Sequence, residues 1–288
     1  MSVGAVTFER VRVRWIPVWI FGAAILAALL AELMPGPRRS EWEELLMQCA
    51  VTVALGLWSL RQIARAGLRP GELIGPRPAE REWHSLVLVV PLMPMALAGL
   101  WALWLPLSYA IPNFVREYVL KMQPIFLDMD APLRTFVTVV VVVIVAPIIE
   151  EVLFRGILLH RFATKWSPRT AVVVSSLIFG VLHADILGHA IFGVVLSLVY
   201  VRTGSLWLPI GIHMLNNGLA VAAMALPWSS TDESYTLAEF RGQWYVGAIA
   251  LAVALPLLYK LRDRYLPPPG WRLPALGSPG IPDAASVQ

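Results

Sequence analysis

Six polar residues embedded in apolar sequence carry most of the chemistry this chain can offer. Glu150, Glu151 and Arg155 lie in VVVVVIVAPIIEEVLFRGILLHRF, His183 ends SSLIFGVLH, and His213 and Asn217 lie in LPIGIHMLNNGLA. A charged group inside a membrane span costs about 2.5 to 3.5 kcal/mol on insertion scales, so those that remain need a partner or a task. Glu151 and Arg155 stand four apart with Glu first, the order that favours an ion pair on one helical face. Glu150 is turned about 100° from Glu151 and is the less well neutralised of the two. The spacing therefore predicts Glu151 with Arg155 as scaffold and Glu150 as the working carboxylate. His213 and Asn217, also four apart, share a face from which Asn216 is turned away.

Hydrolysing a peptide within a membrane requires a water, a base to deprotonate it, donors for the tetrahedral oxyanion and a proton for the leaving amine. Glu150 is the candidate base. His183 is the candidate to hold the same water and shuttle the proton, because its apolar run is too short to cross about 30 Å and so leaves it at depth. His213 and Asn217 are candidate oxyanion donors, the amide offering two hydrogens and the imidazole one. No serine, cysteine or aspartate pair has comparable placement, so a covalent nucleophile is not expected.

These residues must be positioned by membrane helices. Of 288 residues 58% are hydrophobic and 15% charged, with mean hydropathy +0.68, against about 45 to 50% and roughly 25% in soluble domains. Apolar runs fall at about 15–34, 45–60, 86–111, 135–159, 170–182, 186–201, 206–226 and 244–259. The expectation is an all-α polytopic bundle of about eight transmembrane helices around an intramembrane catalytic cavity. The first run is longer than a signal-peptide core and lacks a convincing cleavage site, so it reads as a retained span. Pro91, Pro94, Pro147 and Pro209 fall within runs, where a bundle tolerates kinks because neighbours satisfy freed carbonyls. With both termini cytoplasmic, 16 Lys and Arg fall on inside segments against 6 outside, Arg155 aside, in agreement with the positive-inside rule.

The set EEVLFRG at 150–156, FGVLH at 179–183 and HMLNN at 213–217 resembles the CPBP (CAAX protease and bacteriocin-processing) intramembrane proteases, also called Abi proteins and related to Rce1-type prenyl-protein endopeptidases. The pattern EExxxR, FxxxH, HxxxN is met in order and without departure, over about residues 132–226. The resemblance implies an eight-helix bundle with a membrane cavity, catalytic roles for Glu150, His183, His213 and Asn217, and close support from Glu151 and Arg155. The family has also been named metalloprotease, and Glu150, His183 and His213 could form a three-ligand zinc site with one position open for water. The chain lacks HExxH, and a ligating Glu150 would no longer be the base. A metal-free glutamic mechanism is the favoured reading and zinc the alternative.

The remaining organisation is plainer. Residues 1–131 hold the helices outside the resemblance, 132–226 the catalytic core, 227–266 a loop and the last span, and 267–288 a Pro/Gly-rich tail expected to be disordered. Asn113–Leu127 suits a short interfacial helix. His189 is a candidate supporting neighbour of His183, whereas His84 and His160 sit at span ends and read as interfacial. Trp15, Trp19, Trp83, Trp104, Trp207, Trp228 and Trp244 read as interfacial anchors, and Cys49 as packing. Expected partners are the lipid bilayer and a membrane-associated protein or peptide substrate, with a CAAX-like tail or a C-terminal sorting anchor as the site of cleavage; nucleic acid is not expected. The expected location is a bacterial cytoplasmic membrane. The rival functions are a proton-coupled transporter, which would show repeats that the sequence lacks, and a non-catalytic scaffold or immunity protein.

Overall fold

The computed structural model describes residues 8–33, 39–120, 131–224 and 236–280, and no strand occurs among them. Each apolar run forms a helix: α1 Ile16–Glu32, α2 Arg39–Ala66, α3 Val89–Ala110, α4 Pro132–Ala163, α5 Pro168–Val181, α6 Ile186–Thr203, α7 Trp207–Met224 and α8 Trp244–Tyr265. By length and composition α1, α2, α3, α4, α6 and α8 suffice to cross a membrane. Helix α5, with 14 residues, reaches only about 21 Å. In α7, His213, Asn216 and Asn217 lower the hydropathy. The protein is a polytopic helical membrane bundle.

Helix ends are fixed by local chemistry. Ser167 caps α5, its Oγ accepting from Thr170 N–H at 3.2 Å, with Pro168 at the first helical position, where its missing N–H costs nothing. Asp185 caps α6 through Gly188 N–H at 3.0 Å. Gly204 ends α6 at φ 64° and sends its N–H to Tyr200 O at 2.7 Å, a left-handed cap that favours glycine.

Helix α4 is not uniformly α. Val141–Val145 and Val152–Leu158 are π turns, and one α segment, Ala146–Glu151, separates them. Turns of this kind concentrate at functional sites, and both glutamates lie on the intervening segment. Around it, α2 and α7 pack against α4, α5 and α3 against α6, α1 against α2 and α8 against α3.

Contacts between distant segments gather at one end of the bundle. Arg161 Nε donates to Val11 O at 3.1 Å, Arg264 Nη2 to Arg81 O at 3.2 Å, and Tyr265 Oη to Ser85 Oγ at 2.9 Å. At the other end Trp104 Nε1 donates to Ala184 O at 2.8 Å, and Arg241 reaches the Ser108 carbonyl. Cavities of about 290 and 360 Å³ meet at Arg12 on the first end and touch none of the six polar residues.

The structure adds to the sequence reading at three places. His160, at the end of α4, is buried within the protein: its Nε2 is 2.7 Å from Tyr200 Oη, and it stacks on Phe8 at 4.9 Å, because the 3-10 turn Phe8–Arg10 folds over the end of α4. Residues 267–280 of the tail are ordered, and Trp271, Leu273 and Leu276 pack against the core, since the prolines there are interleaved with large apolar side chains. The segment after Asn113 forms a helical turn Pro112–Val115 and a π turn Arg116–Leu120; residues 121–127, like Trp228, lie outside the described residues.

Candidate active site

Glu151 and Arg155 form the foundation predicted from their spacing. Both are buried, at 0% and 1% exposure, and Arg155 Nη1 donates to Glu151 Oε1 at 2.7 Å. A buried ion pair is held well only when its other hydrogen-bonding groups are also met. Arg155 Nη2 donates to Gly193 O at 3.0 Å and its guanidinium lies 4.9 Å from the centroid of the Phe179 ring. The same Glu151 oxygen is 2.9 Å from His213 Nδ1. A carboxylate can only accept here, so His213 carries its proton on Nδ1 and turns Nε2 the other way.

That way lies Glu150. Its Oε2 is 3.8 Å from His213 Nε2 and 4.0 Å from His183 Nε2, and it has no hydrogen-bond partner among the described residues. His183 is also held from behind, its Nδ1 2.7 Å from Phe179 O. A backbone carbonyl cannot donate, so this proton too sits on Nδ1, and Nε2 of the neutral ring presents a lone pair toward Glu150. Phe179 is packed between the two rings, with centroids 4.5 Å from His183 and 5.8 Å from His213. The side chains of Glu150 and His183 keep 24% and 26% of their surface exposed, against 4% for His213. The two outer side chains are therefore partly exposed, although Glu150 Oε2 itself is buried, and the inner three are framework.

His189 lies against this cluster. Its ring stacks on His183 with centroids 4.1 Å apart and planes at 9°, and its Nδ1 is 3.0 Å from Asp185 O. Its position one turn into α6 follows from the Asp185 cap. Asn217 is held differently from the expectation of a free oxyanion donor: Nδ2 donates to Val142 O at 3.0 Å. Asn216, on the adjoining helix face, donates from Nδ2 to Asn217 Oδ1 at 3.3 Å. The sequence reading did not identify the Gly193 carbonyl, the Phe179 ring or the Val142 carbonyl as parts of the site. A signal existed only for the last, in Pro147, which deprives α4 of an N–H.

Among the described residues no three His, Cys, Asp or Glu side chains are placed to hold a metal ion together. Two ligands of one tetrahedral zinc, each about 2.0 to 2.1 Å from the metal, stand roughly 3.4 Å apart. The 3.8 and 4.0 Å separations are wider than that, so these side chains would have to close up to share one zinc ion.

Residues 132–219 match the family model described as "Type II CAAX prenyl endopeptidase Rce1-like". Among curated proteins, the chain is 35% identical over 92 residues to YdiL of Bacillus subtilis (strain 168), provisionally named a membrane peptidase. It is 33% identical over 101 residues to a 24.3 kDa protein of Escherichia coli, and 37% identical over 106 residues to the membrane-embedded CAAX protease MroQ of Staphylococcus aureus (strain USA300). These alignments cover 31%, 32% and 34% of this chain and 38%, 46% and 43% of the relatives, so less than half of each protein is compared. No solved structure matches. The matched segment contains all three motifs and the whole ring of contacts from Glu150 to Asn217, and over it the chain is similar to the Rce1-like CAAX endopeptidases.

Proposed function

We propose that this protein is an intramembrane endopeptidase of the glutamic type, hydrolysing a peptide bond in a membrane-associated protein or peptide. One observation carries the reading: Glu150 Oε2 faces the Nε2 atoms of two histidines at 3.8 and 4.0 Å, and each histidine is fixed from behind at Nδ1. These gaps are too long for direct hydrogen bonds and of a length that one water bridges. Glu150 takes a proton from that water while His183 Nε2 accepts its other hydrogen, and the water oxygen bonds to the scissile carbonyl carbon. The resulting oxyanion is met by the second amide hydrogen of Asn217 and by His213, which donates from Nε2 when the ring carries a proton there in addition to the one that Glu151 holds on Nδ1; that extra proton is on the ring before the water is attacked and stays there throughout. Glu150 then returns its proton to the leaving amine as the C–N bond breaks. Every group in this scheme belongs to the chain, so no metal is needed and zinc remains the rival.

The CAAX-protease name of the Staphylococcus aureus relative and the description of the family model favour a substrate cleaved near a C-terminal CAAX-like tail or sorting anchor. The bacterial relatives favour a cytoplasmic-membrane location. The test compares protein C-termini by mass spectrometry in cells carrying the wild-type or the Glu150→Gln protein. Loss of a general base costs about a hundredfold or more, so at least one membrane-protein product present with the wild type disappears with the variant. Identical C-termini in both cells, with the variant folded, overturn the proposal. Chelation that abolishes processing, with rescue by zinc, overturns the metal-free form of it.

A further inference from the structure

Asn217 stands four residues after His213 and is the natural partner for an oxyanion, yet its amide is already engaged. The reason lies in α4. In the first π turn Ala146 N–H bonds to Val141 O, five residues back. Continuing that register, Val142 O would receive the N–H of residue 147, which is proline and has none. The Val142 carbonyl is therefore left without a helix donor inside the bundle, where an unmet backbone group is costly. Asn217 Nδ2 reaches it from α7 at 3.0 Å. Asn216 in turn donates to Asn217 Oδ1 at 3.3 Å, which orients the amide with its nitrogen toward α4.

We infer that Asn217 is a positioning residue that clamps α7 to the π turn of α4 by supplying the hydrogen bond that Pro147 removes. The clamp sets the segment Ala146–Glu151, with both glutamates, against His213. This extends the proposed function, since its catalytic consequence rests on Glu150 being the base; the clamp itself does not depend on that reading. It assigns Pro147 a role too: the proline creates the acceptor and Asn217 consumes it.

The test is a double-mutant cycle between Asn217→Ala and Pro147→Ala in the full chain in micelles, because restoring the N–H at 147 removes the need for the amide. In the wild-type background Asn217→Ala lowers the melting temperature by roughly 2 to 8 °C, and Asn217→Asp, which keeps the volume but cannot donate as a carboxylate, does the same. In the Pro147→Ala background the loss is largely absent. A second readout follows the site itself. In histidine-labelled protein, the Nδ1 proton resonance of His213 shifts on Asn217→Ala and returns toward its original position in the double variant. Processing of whichever product the Glu150→Gln comparison identifies falls about a hundredfold in Asn217→Ala and recovers in part in the double variant, which restores the helix contact but not the amide hydrogen offered to the oxyanion. Equal losses in the two backgrounds, as a pure oxyanion donor would give, or a His213 resonance indifferent to both changes, overturn the inference. The melting and resonance arms decide it even if Glu150→Gln alters no product.

Discussion

At residue 150 and residue 151 the same side chain meets two different environments. Glu151 is buried beneath an arginine and a histidine that share one of its oxygens, whereas Glu150 is part-exposed and faces two imidazoles without bonding either. Neutralising the first leaves Arg155 with the Gly193 carbonyl and no counter-charge bonded to it. Breaking a buried pair in this way costs about 3 to 5 kcal/mol. The Glu151→Gln protein is therefore expected to unfold at markedly lower denaturant in micelles, while Glu150→Gln stays within about 1 kcal/mol of wild type. Comparable losses in the two variants would show that the division between framework and working carboxylate is misdrawn. The division was legible in sequence because i,i+4 spacing and a 100° turn are properties of a single helix. Asn217 was only half legible: its face followed from the spacing, but its partner depends on a π register and on a carbonyl 75 residues away in the chain.

The helices hold this cluster by close approach as well as by hydrogen bonds. Gly193 on α6 lies so near α5 that a Cβ there would stand 2.9 Å from Ser176 Cβ. Its carbonyl accepts from both Arg155 Nη2 and Ser197 Oγ, the latter at 2.8 Å. Small residues at such crossings let membrane helices pack closely, which matters where lipid tails are as apolar as the side chains and no hydrophobic force draws the helices together. Gly193→Ala must push α5, which leads to His183, away from α6, at a cost of about 1 to 3 kcal/mol, and with it a reduced rate of processing. At Gly22 on α1 an added Cβ would meet no atom within 4 Å, so Gly22→Ala is the control and changes neither. Equal melting temperatures for the Gly193 and Gly22 variants would remove close packing as the reason for glycine at 193. The existence of each helix was readable from apolar length. The π turns were not, since they arise where Pro147 and tertiary partners override the local preference for i→i+4 bonding, and neither was burial of His160, which needs Phe8 to fold back from the far end of the chain.

Across the whole molecule the interhelical contacts sort the chain into two ends. Residues near 11, 81, 85, 161, 264 and 265 meet at one, and residues near 104, 108, 184 and 241 at the other. In chain order these segments alternate as they would if every helix, including short α5 and polar α7, carried the backbone from one end to the other. An even number of passages then returns the C-terminal part to the side of the N-terminal part, which is why the ordered tail can lie against the turn after α6, its Gly280 beside Arg202. The same end holds Arg12, Arg14, Arg61, Arg65, Arg161 and Lys165 around its two cavities, the excess that the positive-inside rule assigns to the cytoplasm. Reporter fusions after residues 66, 165 and 265 are therefore expected to report the cytoplasmic side, and fusions after residues 111 and 184 the opposite side. A cytoplasmic signal at 184 would mean that α5 re-enters rather than crosses, and would place His183 at a surface rather than level with Glu150, removing the geometry on which the proposed hydrolysis depends.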